Sequence, residues 1–199
     1  MVILIAGASH TGKTLLAQRL LERLRFPCLS IDHLKMGLIR SGQTPLTPEE
    51  DEALTGYLWP ILREMIKTAV ENRQNLIIEG CYIPFDWRRD FDDRYLFQIR
   101  FVCLAMSEGY IDGHFPEILA HGSDIEARLD DSCCSPERLK EENRITAAGF
   151  RAWGEPVTLI EEDYEGTIRA LLDRLNRSKA RKEGLSCPIP AAPPDTPSF

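Results

Sequence analysis

Gly7 and Gly12 bracket four residues, Ala8-Ser9-His10-Thr11, and are followed at once by Lys13 and Thr14. Gly-x-x-x-x-Gly-Lys-Thr is a spacing suited to holding a phosphate chain. The glycines let the backbone turn tightly and approach an anion without a Cβ in the way. Successive N–H groups of Ala8, Ser9, His10 and Thr11, with the start of the following helix, then offer partial positive charge. In this P-loop arrangement Lys13 reaches the β- and γ-phosphates of a nucleoside triphosphate, and the Thr14 hydroxyl holds a magnesium ion. ATP and Mg2+ are therefore the expected cofactors.

Two carboxylates stand at places where they can serve the same chemistry. Asp32 follows the apolar stretch Phe26–Ile31, and Glu79 closes Leu76-Ile77-Ile78. Ligands of open α/β sheets gather beyond the carboxyl ends of the strands, so both fall at the edge that carries the P-loop. Asp32 can orient an acceptor hydroxyl and take its proton, contact the metal, or cap a helix beginning near His33. Glu79 is the candidate for the carboxylate that helps to hold magnesium, against the plainer role of a solvated strand end. Lys35 and Arg40, on the helix after Asp32, are candidates for binding substrate, as is Tyr82, whose aromatic neighbours suit either a cleft or packing. Arg128, Arg138 and Arg144 bracket a polar stretch from which an arginine can stabilise transferring charge; Arg128 and Arg144 are carried forward as catalytic candidates.

The elements that position these residues follow from hydrophobic patterning. Val2–Ala6 is a buried-strand run, and Leu16, Leu20 and Leu24 form a helical stripe behind the loop. Strands are expected near 2–6, 27–31, 75–79, 98–104 and 156–160, with helices between them. That alternation implies a five-stranded parallel sheet covered on both faces, a three-layer α/β fold. Thr47-Pro48-Glu49-Glu50 has the composition of a helix start, with Thr47 as cap, and Pro60 should kink the helix that follows. Glu49–Glu52 suits a dipole-compatible first turn better than a ligand site. Ser135 and Asp163 are expected to cap the last two helices. The domain is expected to span residues 1–177, and the proline-rich 178–199 to be a disordered tail.

Composition narrows the class. The chain has 199 residues, 43% hydrophobic and 28% charged, which suits one domain with a sizeable core. A net charge of −7 argues against a broad nucleic-acid footprint. No apolar run reaches the length of a membrane span, and the short N-terminal run lacks the preceding charged region of a signal peptide. Six scattered cysteines without metal-ligand spacing suit a reduced, cytoplasmic setting. Adjacent Cys133 and Cys134 are too few to close a metal site alone. Nothing in the pattern sets an oligomeric state.

Taken together, Gly7–Thr14, the Ser30-Ile31-Asp32 strand end, Leu76–Gly80 and the late arginine-containing segment resemble the P-loop small-molecule kinases of the nucleoside-monophosphate-kinase superfold. The resemblance covers roughly residues 1–177, and the P-loop is its specific motif. Within that group the chain looks most like the 2-phosphoglycerate kinase-like and zeta-toxin-like branches, where an Asp after the second strand serves as base; Asp32 matches that place. Ala8-Ser9-His10-Thr11 departs from the Gly-x-Pro-Gly-x-Gly-Lys loop of adenylate kinases, and the arginine-rich lid is thin. The resemblance implies transfer of the γ-phosphoryl group of ATP to a hydroxyl or phosphate of a small-molecule acceptor. Two other functions stay open at this stage: a nucleotide-dependent regulatory or ATPase module, and a polynucleotide 5′-hydroxyl kinase, which the acidic balance disfavours.

Overall fold

The computed structural model describes residues 1–121 and 134–183, with side chains up to residue 177. Among the described residues, five strands, β1 (Val2–Gly7), β2 (Cys28–Ser30), β3 (Leu76–Glu79), β4 (Ile99–Met106) and β5 (Val157–Ile160), form one sheet in the order β2-β3-β1-β4-β5. Every pairing is parallel. Among the described residues, seven α-helices accompany them: α1 (Lys13–Leu24), α2 (Ile31–Arg40), α3 (Asp51–Glu71), α4 (Asp93–Leu96), α5 (Glu108–His121), α6 (Pro136–Ala152) and α7 (Tyr164–Glu183).

Successive side chains of a strand leave opposite faces, and β1 shows the consequence. Val2, Leu4 and Ala6 enter a core shared with Leu54, Leu58, Leu62 and Ile66 of α3 and Phe150 of α6. Ile3 and Ile5 enter another, shared with Leu16, Leu20 and Leu24 of α1 and Ile168, Leu171 and Leu175 of α7. Each fully buried Leu or Ile stabilises the fold by about 1.5–3 kcal/mol relative to exposure, so the two faces together hold β1 at the centre. This is the expected three-layer α/β arrangement.

Several local expectations are refined. Ser135 caps α6 through its side chain, accepting from the Arg138 N–H at 3.2 Å, and Asp163 Oδ1 accepts from the Gly166 N–H at 2.8 Å. Thr47–Glu50 is a turn ahead of α3 and not its first turn. Glu50 returns its carboxylate to the Thr47 N–H at 2.7 Å, and the helix starts only at Asp51. One half of a capping box has formed without the other. Helix α3 runs on through Pro60 without a break. Helix α7 continues to Glu183, past the expected end of the domain at 177, because Lys179, Ala180, Arg181 and Lys182 are all good helix formers. The proline-rich remainder of the expected tail and Arg128 lie outside the described residues.

Candidate active site

The loop between β1 and α1 is fixed from below. Gly7 has φ 152°, and a Cβ there would stand 2.5 Å from the Leu104 carbonyl oxygen of β4, so the position admits only glycine. The Ala8 carbonyl accepts from both the Thr11 hydroxyl at 2.8 Å and the Lys13 ammonium at 2.7 Å. Thr11 and Lys13 are buried, which makes this pair of bonds an internal brace that holds the loop curved. His10 and Gly12 both take left-handed conformations, at φ 62° and 79°. Gly12 is the cap residue of α1, so the loop N–H groups and the helix N-terminus converge on one concavity. A curved backbone cradle with an attached ammonium is the donor set that a triphosphate requires.

Strand register brings the first acidic group to this cradle. Ile5 of β1 faces Glu79 of β3, which in turn faces Ser30 of β2. Glu79 is 2% exposed, and its Oε2 lies 3.4 Å from Thr14 Oγ1. Its charge is felt by Cys28, whose thiol is pushed up to about 11, mainly by burial and then by Glu79. A hydroxyl and a carboxylate converging beside a phosphate cradle form the hard-oxygen donor pair that suits magnesium, with phosphate and water completing the shell.

The second acidic group, Asp32, stands inside a helix and not at its cap. Helix α2 begins at Ile31, with Ser30 in the cap position, so Asp32 belongs to the first turn and is not the cap. Its Oδ1 is ion-paired with Lys35 Nζ at 2.8 Å, and the two side chains are 39% and 12% exposed. Lys35 also donates to the Tyr82 hydroxyl at 2.8 Å and lies 4.9 Å from that ring's centroid. Tyr82 in turn donates to Asp51 Oδ1 at 2.9 Å. Burial raises the Tyr82 phenol far above its ordinary range, and the charge and hydrogen bond of Asp51 raise it further, so it remains a donor at all physiological pH. The result is a chain Asp32–Lys35–Tyr82–Asp51 that joins α2, the segment after β3 and α3.

This chain lies beside the P-loop. Gly80 packs against Ile31 at the start of α2, and the Cys81 Sγ is 3.6 Å from the Gly7 carbonyl oxygen. Tyr82, the next residue, is therefore carried along the same sheet edge. Asp51 escaped the sequence reading, which treated its acidic run as a helix start only. Arg40 sits at the exposed end of α2, about 12 Å along the axis from Asp32 at 1.5 Å per residue. Arg144 is exposed on α6 and engages Glu141 at 2.8 and 2.5 Å. Phe85 packs edge-on against Phe150 from a partly exposed position, while Trp87 is buried, stacked on Phe101, and serves the core.

The fold is shared with solved structures of low sequence identity. They include a candidate kinase from Chloroflexus aurantiacus J-10-fl, 20% identical with TM-score 0.53, the match covering 88% of this chain and 96% of that one. A sugar kinase from Janibacter sp. HTCC2649 is 16% identical with TM-score 0.53, covering 90% and 96%. A deoxyadenosine kinase from M. mycoides is 13% identical with TM-score 0.53, covering 89% and 100%. No protein-family model matches the sequence. No curated protein sequence matches it. The chain thus has the three-layer α/β fold of these kinase structures, with the Gly7–Thr14 segment joining its first strand to its first helix. Among the described residues, no helix is long and apolar enough to cross a membrane.

Proposed function

We propose that this chain is an ATP-dependent kinase that transfers the γ-phosphoryl group to a small-molecule acceptor. The observation that carries the reading is the Asp32–Lys35–Tyr82–Asp51 chain on the same sheet edge as the P-loop. A module that only binds nucleotide has no use for a second, partly buried polar network outside its phosphate cradle. The kinase names of the structural neighbours point the same way.

In this reading residues 7–14 hold the triphosphate, and Lys13 leaves the Ala8 carbonyl to meet the β- and γ-phosphates. Thr14 and Glu79 would hold magnesium, which would neutralise charge on the phosphates. Asp32 orients the acceptor hydroxyl and takes its proton as the new P–O bond forms and the β,γ-bridging P–O bond breaks, leaving ADP. Lys35 and Tyr82 fix the Asp32 carboxylate. Arg128 or Arg144 supplies positive charge to the transferring group, which for Arg144 requires release from Glu141. The place of Asp32 at the end of β2 supports the branch of the superfold in which that residue is the base.

Asp32→Asn tests the mechanism. The variant keeps the side-chain shape and gives up an i,i+3 ion pair with a partly exposed partner, a cost of about 0–1 kcal/mol. Nucleotide affinity by calorimetry should shift little, while single-turnover transfer falls on the order of 100-fold or more. Lys13→Ala should lose both triphosphate affinity and transfer. A wild-type transfer rate in Asp32→Asn would remove Asp32 from the chemistry, and slow ATP hydrolysis with no acceptor would favour a regulatory module.

A further inference from the structure

Ser30 carries a buried hydroxyl that the fold itself does not use. It stands in the cap position of α2, where a serine ordinarily accepts from an N–H of the first turn, yet its side chain makes no cap hydrogen bond. The residue is 8% exposed, and its Oγ has no hydrogen-bond partner among the described residues. Leaving a buried hydroxyl unpaired costs stability, so such an atom calls for a functional reason, a water or an ion.

Strand register shows which way this hydroxyl lies. Neighbouring residues on adjacent parallel strands are about 4.8 Å apart and share a face of the sheet. Ser30 of β2 is beside Glu79 of β3, and Glu79 is beside Ile5 of β1. Ile5 enters the core under α1, so Glu79 and Ser30 leave the sheet on that face too. Leu29, one residue earlier, packs on the opposite core, as the alternation requires. Thr14, in the first turn of α1, brings its hydroxyl to 3.4 Å from Glu79. Cys28 shares the face of Ser30, and the Glu79 charge reaches its thiol. The Ser30 hydroxyl thus flanks the Thr14–Glu79 pair from the β2 side.

This inference rests on the kinase reading above, in which that pair would hold magnesium. Magnesium demands near-octahedral oxygen geometry and keeps several of its waters, so a neutral, buried oxygen beside the pair fits its hydrated side. We propose that Ser30 is a positioning residue of the magnesium site, its hydroxyl hydrogen-bonding a water that the ion keeps. The site then draws on the ends of β2 and β3 and the first turn of α1. One residue separates Ser30 from Asp32, so the same strand end sets the ion's shell and the proposed base.

The test uses the full chain with saturating ADP and Mn2+ as a paramagnetic stand-in for magnesium, free ion being read by electron paramagnetic resonance. Ser30→Ala should weaken metal binding about tenfold, as losses around a metal's shell do. Ser30→Gly, with a good cap residue in place, should lose the same. ADP affinity in EDTA and the metal-free melting temperature should match wild type or, for the latter, exceed it, because the variant sheds an unpaired buried hydroxyl. Metal affinity within about twofold of wild type in both variants overturns this inference and leaves the kinase reading standing. A lowered metal-free melting temperature in Ser30→Ala that Ser30→Gly does not share makes Ser30 a helix cap and overturns it as well. Glu79→Gln is the control; if it leaves metal affinity unchanged, the ion is not held at this pair and the inference falls. Wild-type protein that binds no nucleotide, with metal or without, overturns the kinase reading and this inference with it.

Discussion

Gly12→Ala probes how the P-loop is held, independently of any substrate. Gly12 has φ 79°, where an L-residue costs about 1–2 kcal/mol. A Cβ built there falls 1.8 Å from the Tyr164 hydroxyl oxygen and 2.9 Å from its Cζ, so the tyrosine must move. Tyr164 opens α7 and packs against both the α1–α7 core and the smaller cluster around Ile111 and Ile160. Its displacement is an overpacking event worth about 1–3 kcal/mol. The two terms sum to about 2–5 kcal/mol, a large share of the stability of an ordinary domain. With a urea dependence of about 2 kcal/mol per molar, the midpoint should fall by about 1–2.5 M. The cycle with Tyr164→Ala separates the terms. Removing the ring abolishes the clash but not the strain, so Gly12→Ala made in that background should cost only about 1–2 kcal/mol. Urea unfolding of the four proteins gives the answer. A Gly12→Ala protein within about 0.5 kcal/mol of wild type, or strict additivity in the cycle, would show that Tyr164 does not rest on the loop.

Arg88→Ala should cost about 1–3 kcal/mol, because it leaves the Glu155 carboxylate, 1% exposed, without its cation; the figure is discounted because Arg88 is itself 54% exposed. Adding Glu155→Gln should recover most of the loss in thermal or urea unfolding, while Arg89→Ala, at an exposed pair, should stay within about 0.5 kcal/mol; equal losses at both arginines would refute the assignment. Stability should also fall at high pH. Cys28 and Cys103 are raised from 9.0 to about 11 and about 12, and Tyr95 and Tyr164 from 10.0 to about 12, chiefly by burial, with Tyr82 raised further. The folded chain keeps these protons where the unfolded chain has released them, so the contribution is complete below about pH 9 and is lost as pH rises towards 12. Unfolding midpoints measured from pH 7 to 11 should be flat and then decline, with tyrosinate absorbance appearing together with unfolding; tyrosinate formed before unfolding would mean those rings are not buried.

What the sequence made legible was contiguous. Val2–Thr14 encodes strand, loop and helix in one run, and the run needs no distant partner to be recognised. The strand ends at Ser30 and Glu79 could be placed because parallel strands share one polarity, so each acidic group after a buried run must emerge on the P-loop edge. Less was visible where two solutions are close in local energy. Thr47-Pro48-Glu49-Glu50 satisfies the rules for a helix start, yet the Glu50 carboxylate can reach the Thr47 N–H from a turn as well, and the helix waits for Asp51. The run after residue 177 had no apolar period to mark it, but intrinsic propensity extends α7 without one.

The contacts that carry the proposed site were the ones with no local signature. Tyr82 meets Asp51 across 31 residues and Lys35 across 47, and neither separation leaves a periodic trace. Position alone divided Asp32 between a cap and a base. The helix start at Ile31 removes the cap role, and Lys35 gives the carboxylate a neighbour that fixes its orientation, as the proposed role of general base requires.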